Sequence, residues 1–241
     1  MPQSEINLDV TIVIPALREA DNLEKLLPVL HDMLASQGLQ AEIVVVDEQC
    51  DERTREVAAK HSATILTPDT HGYGQALWAG MAYARSEYII TMDADLSHPP
   101  TFLADLWKAR QLADIVIASR YVPGGKAVMP ASRYWLSRVL NLVFSFGLGL
   151  TVRDMSSGYR LYHRRVLQQL NPESVDFNVL QEILVKAHIK GFTFSEVPFS
   201  YEPRRSGSSH ARVFKFGLAY INTFRSLWKL RRSLAREIKR R

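Results

Sequence analysis

Over the first half of the chain, short apolar runs alternate with segments in which apolar residues return every three or four positions. The first kind reads as a buried strand and the second as an amphipathic helix. The β-branched run at 10–15 predicts a strand, and the periodic segment after it a helix over 20–36 that ends near Gly38. Residues 42–47 predict a second buried strand. The segment 51–61 predicts a helix, because acids open it and Lys60 and His61 close it, as the helix dipole favours. A short strand at 63–66, a loop through Gly72 and Gly74, a helix at 75–84 and a strand at 88–92 follow. Pro99 and Pro100 suit the first turn of a helix running to about Leu112, and 114–119 supplies a fifth strand. Such alternation predicts an α/β fold with right-handed crossovers and a mainly parallel central sheet flanked by helices.

Beyond residue 120 the pattern changes. The stretch 134–152 is apolar but broken by Ser137, Arg138, Asn141, Ser145, Gly147 and Gly149. A spanning helix needs about 20 predominantly apolar residues, so this stretch reads as interfacial or buried. With Arg133 and Arg138 at its start it forms either a second membrane-facing surface or a core helix ended by a glycine turn. In the tail, Phe214, Leu218, Ile221, Phe224, Leu227 and Trp228 recur at largely helical spacing, with Arg225, Lys229, Arg232 and Arg236 among them. Of a formal charge of +5, residues 211–241 carry +9 and the first 210 residues −4. These features predict a domain over 1–210 followed by a basic C-terminal amphipathic helix over 211–241. That helix lies on an anionic bilayer or docks on the body.

At 241 residues, 46% apolar and 23% charged, the chain can bury one good-sized core. Its one cysteine, Cys50, excludes an internal disulfide and a multi-cysteine metal site. The first seven residues lack the basic and apolar regions of a signal peptide, so a cytoplasmic location is expected. No nucleic-acid motif accompanies the basic tail, and no nucleic-acid partner is expected.

The chemistry concentrates where the apolar run at 88–92 delivers Asp93 and Asp95 and is stopped by Pro99 and Pro100. Open α/β sheets bind ligands outside the carboxyl ends of their strands. Mg²⁺ is usually held there by one or two carboxylates plus phosphate oxygens, so the pair suits Mg²⁺ or Mn²⁺ against a nucleotide diphosphate. Two acids beside a turn also suit helix caps and solvated loops. His98 reads as a loop residue, since one imidazole beside two aspartates matches hard-cation preference poorly.

Six motifs then follow in one order: Ile14-Pro15-Ala-Leu-Arg-Glu19-Ala-Asp-Asn22, Val44-Val-Val-Asp47, Gly72-Tyr-Gly74-Gln-Ala, Met92-Asp93-Ala-Asp95-Leu-Ser-His98-Pro, Ser119-Arg120-Tyr121 and Ser157-Gly158-Tyr-Arg160-Leu-Tyr162. In order and spacing they resemble glycosyltransferase family 2. Over roughly residues 10–210 the match is to its dolichol-phosphate mannose synthase branch, the polyprenyl-phosphate glycosyltransferases. The resemblance implies a GT-A fold and an inverting, metal-dependent hexosyltransferase. Such an enzyme moves a sugar, with mannose from GDP-mannose favoured, from a nucleotide-diphosphate sugar to a polyprenyl (dolichyl or undecaprenyl) phosphate. By position it implies that Pro15, Glu19 and Asp47 line the base and ribose pocket. Asp93 and Asp95 would bind the metal and diphosphate, and Arg120 and Arg133 would meet donor or lipid phosphates. Arg204 would clamp the donor diphosphate, which makes Asp95, Arg120 and Arg204 the implied catalytic set. Gln181 and Glu182 would shape the acceptor side. Charge developing on the departing diphosphate calls for a cation and arginines. The acceptor, a phosphate monoester with a second pKa of about 6, needs little activation. Implied partners also include an anionic membrane surface, met peripherally on the cytoplasmic face, and a separate membrane subunit.

Plainer roles stand beside these: Asp47 as a strand-ending Asx turn, Arg160 as a structural ion-pair partner, Gly72 and Gly74 as turn formers rather than a phosphate cradle. The chain also departs from the family after Asp47, with Glu48-Gln-Cys50-Asp51-Glu-Arg53 in place of a glycine-containing turn, and at Gly207-Ser-Ser-His210, where the family carries lysine. Alternative functions are a UDP-glucose or UDP-N-acetylglucosamine donor, a soluble or glycan acceptor, and a non-enzymatic membrane scaffold on a decayed transferase fold.

Overall fold

The computed structural model describes residues 8–49, 51–201 and 222–233. Its first half follows the hydrophobic pattern closely. Val10–Ala16 (β1), Ala20–Ser36 (α1), Ala41–Asp47 (β2), Glu52–Lys60 (α2), Thr64–Leu66 (β3), Tyr73–Tyr83 (α3) and Tyr88–Thr91 (β4) succeed one another. The Asp51 side chain caps α2 by accepting from the Thr54 N–H at 3.0 Å. After Pro99 the helix is shorter than the periodicity predicts: a 3-10 turn over Pro100–Phe102 leads into Leu103–Lys108 (α4). It stops before Leu112, whose side chain is 70% exposed and has no core to face.

Ile115–Ser119 (β5) does not close the series. Lys126–Ala127 (β6), Ala131–Leu148 (α5), Arg160–His163 (β7), Arg164–Leu167 (α6), Val179–Ile189 (α7), Phe194–Pro198 (β8) and Ser200–Tyr201 (β9) follow. Seven strands form one sheet in the order β3-β2-β1-β4-β7-β5-β8, and β6 pairs with β9 apart from it. All pairings in the large sheet are parallel except those of β7, which runs antiparallel between β4 and β5.

Alternation of side chains along the strands builds two cores, one on each face of the sheet. Val13, Ile115, Ile117 and Tyr162 join α3, α7 and the inner side of α5 on one face. Ile12, Ile14, Val116, Ala118 and Leu161 meet α1, α2 and α4 on the other. The mainly parallel sheet between helix layers is therefore as the sequence predicts. Because β7 is reversed, its amino end lies at the same edge as the carboxyl ends of β1, β2, β4 and β5, with Thr91 paired to Arg160.

On one side of α5 the core-helix reading of the 134–152 stretch holds. Asn141, Phe144, Ser145 and Leu148 are buried, and Gly149 ends the helix at φ 67°, a left-handed conformation suited to glycine. On the other side Trp135, Leu136, Val139, Leu142, Val143 and Phe146 are exposed. Residues 222–233 are helical and pack on the body, with Leu227 buried and Phe224 edge-on to Phe144 at 5.2 Å. Arg225, Lys229 and Arg232 of that helix are exposed. No helix among the described residues is long and apolar enough to cross a membrane.

Candidate active site

Two cavities open along the carboxyl edge of the sheet. The larger, about 430 Å³, is walled by Pro15, Ala16 and Glu19 after β1, Glu48 after β2, Gly72 and Tyr73 at the start of α3, and Asp176 and Phe177 before α7. The smaller, about 150 Å³, is walled by Ser97, His98, Arg120, Ser156, Gly158 and Tyr201. Asp93 and Asp95 line both.

The pair is held by its own loop. The Asp93 N–H donates to His98 Nδ1 at 2.9 Å, and the Tyr73 hydroxyl donates to Asp93 Oδ1 at 3.1 Å. Asp95 Oδ1 accepts from the Ser97 N–H at 2.9 Å across Leu96, which sits at φ 62°. His98 is buried against Tyr159, ring centroids 4.9 Å apart. Burial pulls its pKa below the ordinary value despite the nearby carboxylates, which keeps the imidazole neutral and Nδ1 available as an acceptor. Burial, and then the Asp93 charge, push the Tyr73 phenol well above its ordinary range, so it stays a donor. No group of three or more His, Cys, Asp or Glu among the described residues could hold a metal. Two carboxylates alone match a hard cation that completes its shell with phosphate oxygens and water.

Of the residues expected around a nucleoside, Pro15 and Glu19 line the larger cavity, whereas Asp47 does not. Its buried carboxylate accepts from the N–H groups of Gln49 at 3.0 Å and Asp51 at 2.7 Å, which makes it the Asx-type organiser of the turn after β2. Glu48 takes the cavity wall instead, accepting from the Gly72 N–H. The signal for it lay in the second acid after the strand. With Gly74 N–H donating to Val175 O at 2.7 Å, neither glycine has an amide to spare for a phosphate cradle.

Arg120 is fixed by a residue the motifs did not flag. Nε and Nη2 each reach Asp154 at 2.7 Å, Nη2 also reaches Ser156 Oγ at 2.7 Å, and the Arg120 N–H donates to Asp154 at 3.0 Å. Burial opposes both charges, but mutual attraction outweighs it: Arg120 is raised and Asp154 lowered from their ordinary values. Ser156 also connects to Asn141 on α5, at 3.3 Å, and the Tyr121 hydroxyl meets Ser137 of α5 at 2.7 Å.

Other expected residues lie elsewhere. Arg133 is exposed at the start of α5 and lines neither cavity. Arg160 has no carboxylate partner among the described residues: fully buried, it donates to the carbonyls of Leu180 and Met155, both at 2.8 Å. Gln181 is buried in the first turn of α7, its amide nitrogen 3.2 Å from the Phe177 and Asn178 carbonyls. Glu182 pairs with Lys186 at 2.7 Å and accepts from the N–H groups of Glu173 at 2.9 Å and Ser174 at 2.8 Å, so it organises the 173–177 loop. Arg204 and His210 lie outside the described residues, as does most of 211–241.

The model of Glycosyl transferase family 2 matches residues 11–170. A dolichol-phosphate mannosyltransferase of Pyrococcus furiosus is 33% identical over 211 residues, covering 84% of this chain and 59% of that protein. The chain thus spans somewhat over half of that relative's length. An undecaprenyl-phosphate mannosyltransferase of Micrococcus luteus is 30% identical over 231 residues, covering 90% of this chain and 93% of the relative. Among solved structures, the glucosyl-3-phosphoglycerate synthase of Mycobacterium tuberculosis in complex with Mn²⁺, UDP and glucosyl-3-phosphoglycerate aligns with a TM-score of 0.70 at 19% identity, over 92% of this chain and 80% of that one. That likeness establishes a shared GT-A fold.

Proposed function

Because the chain belongs to glycosyltransferase family 2, we propose that it transfers a hexose, mannose from GDP-mannose in the first instance, to the phosphate of a polyprenol with inversion at the anomeric carbon. The observation that carries this reading is the aspartate pair shared by two cavities of different size and polarity. In this reading the larger takes the nucleotide sugar, with Pro15, Glu19 and Glu48 around the nucleoside. The smaller takes the acceptor phosphate beside Arg120. Separate seats for donor and acceptor suit one direct displacement, which inverts. A Mg²⁺ or Mn²⁺ ion held by Asp93 and Asp95 supplies positive charge against the departing diphosphate. Asp154 occupies Nε and Nη2 of Arg120, which leaves Nη1 for an incoming anion. Arg204 adds a clamp on the donor diphosphate, and Arg133 meets the lipid phosphate as it arrives over α5.

The test is incubation with radiolabelled GDP-mannose, Mn²⁺ and dolichyl or undecaprenyl phosphate. Label is expected in the organic extract. Label recovered only from UDP-glucose or UDP-N-acetylglucosamine changes the donor, label in a water-soluble product changes the acceptor, and no transfer from any donor returns the chain to a scaffold role.

A bilayer contact belongs to the same reading. The outer side of α5 exposes six large apolar residues, carries Arg133 and Arg138 and no acid, and is joined through Phe144 to the helix bearing Arg225, Lys229 and Arg232. Exposed apolar area beside basic charge supports peripheral docking on an anionic, cytoplasm-facing leaflet, with the basic 211–241 tail adding to it. Leu142→Glu combined with Phe146→Glu is expected to abolish most co-sedimentation with phosphatidylserine liposomes at unchanged Tm. Undiminished binding would move the contact to the tail.

A further inference from the structure

We propose that Tyr73 is a positioning residue that sets the orientation of the Asp93 carboxylate according to how the 174–177 loop is seated; this rests on the cation-holding role of Asp93 proposed above. The seating is tight. Gly72 stands at φ 113°, and a Cβ there would come within 2.5 Å of Val175 O. One on Gly74 would come within 2.3 Å of Ser174 O. Only a residue flanked by two glycines can bring its backbone this close to the loop. Tyr73 is that residue, and its ring stacks on Phe177 with centroids 4.1 Å apart and planes 18° from parallel. Phe177 is 62% exposed and walls the larger cavity, where a nucleotide sugar would touch it.

The far end of the tyrosine carries the consequence. Its hydroxyl donates to Asp93 Oδ1, and it has room to do so because residue 158 is glycine: a Cβ there would lie 3.0 Å from the hydroxyl and 3.5 Å from Oδ1. The His98 ring fixes the Asp93 backbone, but an aspartate's terminal torsion is broad. The Tyr73 hydroxyl is the hydrogen-bond donor that restrains that torsion at Oδ1, while Oδ2 lies 3.7 Å from His98 Nε2, beyond hydrogen-bond distance. Groups that orient a ligand in this way commonly change metal affinity by about 10–100-fold. The loop itself is tied down by Glu182 through the Glu173 and Ser174 N–H groups, so a continuous set of contacts runs from α7 to the carboxylate.

The test is Tyr73→Phe, which keeps the ring and its stacking and removes only the hydroxyl. Mn²⁺ affinity is measured on the full chain with saturating GDP, from the free Mn²⁺ electron paramagnetic resonance signal. A loss of about 10-fold or more is expected, with kcat reduced, KM for the lipid phosphate unchanged and part of the rate restored by excess Mn²⁺. Phe177→Ala, which keeps the hydroxyl but frees the ring, is expected to give a smaller loss of the same kind. Unchanged Mn²⁺ affinity in both variants, with effects confined to Tm, would reduce Tyr73 to a packing residue. A wild-type protein that takes up no Mn²⁺ with GDP or UDP would overturn the role of Asp93 itself, and with it this one.

Discussion

Exchanging Asp95 for asparagine is expected to lower the rate of sugar transfer about 1,000-fold and to leave the fold standing. The substitution conserves volume, and an amide oxygen can still accept from the Ser97 N–H that Asp95 Oδ1 now holds at 2.9 Å. What disappears is one of two negative charges that a cation would lean on. Metal stabilisation of a departing oxyanion is worth several kcal/mol, and about 4 kcal/mol corresponds to 1,000-fold in rate. Asp93→Asn is expected to behave alike, because its oxygen can still accept from Tyr73. Transfer rate, Mn²⁺ titration and Tm together decide the matter. Both variants retaining wild-type transfer would detach the chemistry from this pair.

Asp93 and Asp95 were legible because they directly follow a strand end, where local pattern and position in space coincide, whereas Pro15 and Glu19 came from the family resemblance and both line the larger cavity. The contacts that orient them were out of reach. Tyr73 meets Asp93 across 20 residues and Arg120 meets Asp154 across 34, and periodicity carries no information about such pairs. Asp47 shows the opposite failure: it occupies the motif position, but the turn that follows consumes its carboxylate and passes the cavity wall to Glu48.

The same divide runs through the fold. The runs at 10–15 and 42–47 and the helix at 20–36 were legible because their apolar period is unbroken. In β7 the sequence Arg160-Leu-Tyr-His163 has no apolar run, although Leu161 and Tyr162 are wholly buried. Its pairing comes from β4 and β5 on either side, not from its own residues. In α7, burial extends to Gln181 and Glu182, so polar residues occupy positions where a helical period expects apolar ones.

The buried Arg120–Asp154 pair gives a prediction whose size depends on pH. Arg120→Met leaves a carboxylate with no exposed side-chain surface and no other ion-pair partner among the described residues, and breaking a buried pair from one side costs about 3–5 kcal/mol. In the wild type, burial raises the Asp154 pKa but the Arg120 charge and hydrogen bonds outweigh it, so the net value is low. The stability this contributes is fully present above the unfolded carboxylate value of about 3.9 and is lost as pH falls through the lower folded value. In the variant the attraction is gone and burial prevails, which lifts the folded pKa above the unfolded one. Protonation then favours the folded state, and the urea midpoint should rise as pH is lowered from 7 to 5 while that of the wild type does not. Adding Asp154→Leu removes the stranded charge as well and is expected to recover most of the stability at pH 7, since apolar replacements of buried pairs are often neutral. It should recover none of the transfer, because the guanidinium is still missing from the smaller cavity. A double variant that regained both would make the pair purely structural; a single variant whose stability tracked the wild type from pH 7 to 5 would mean that Asp154 does not depend on Arg120 for its charge.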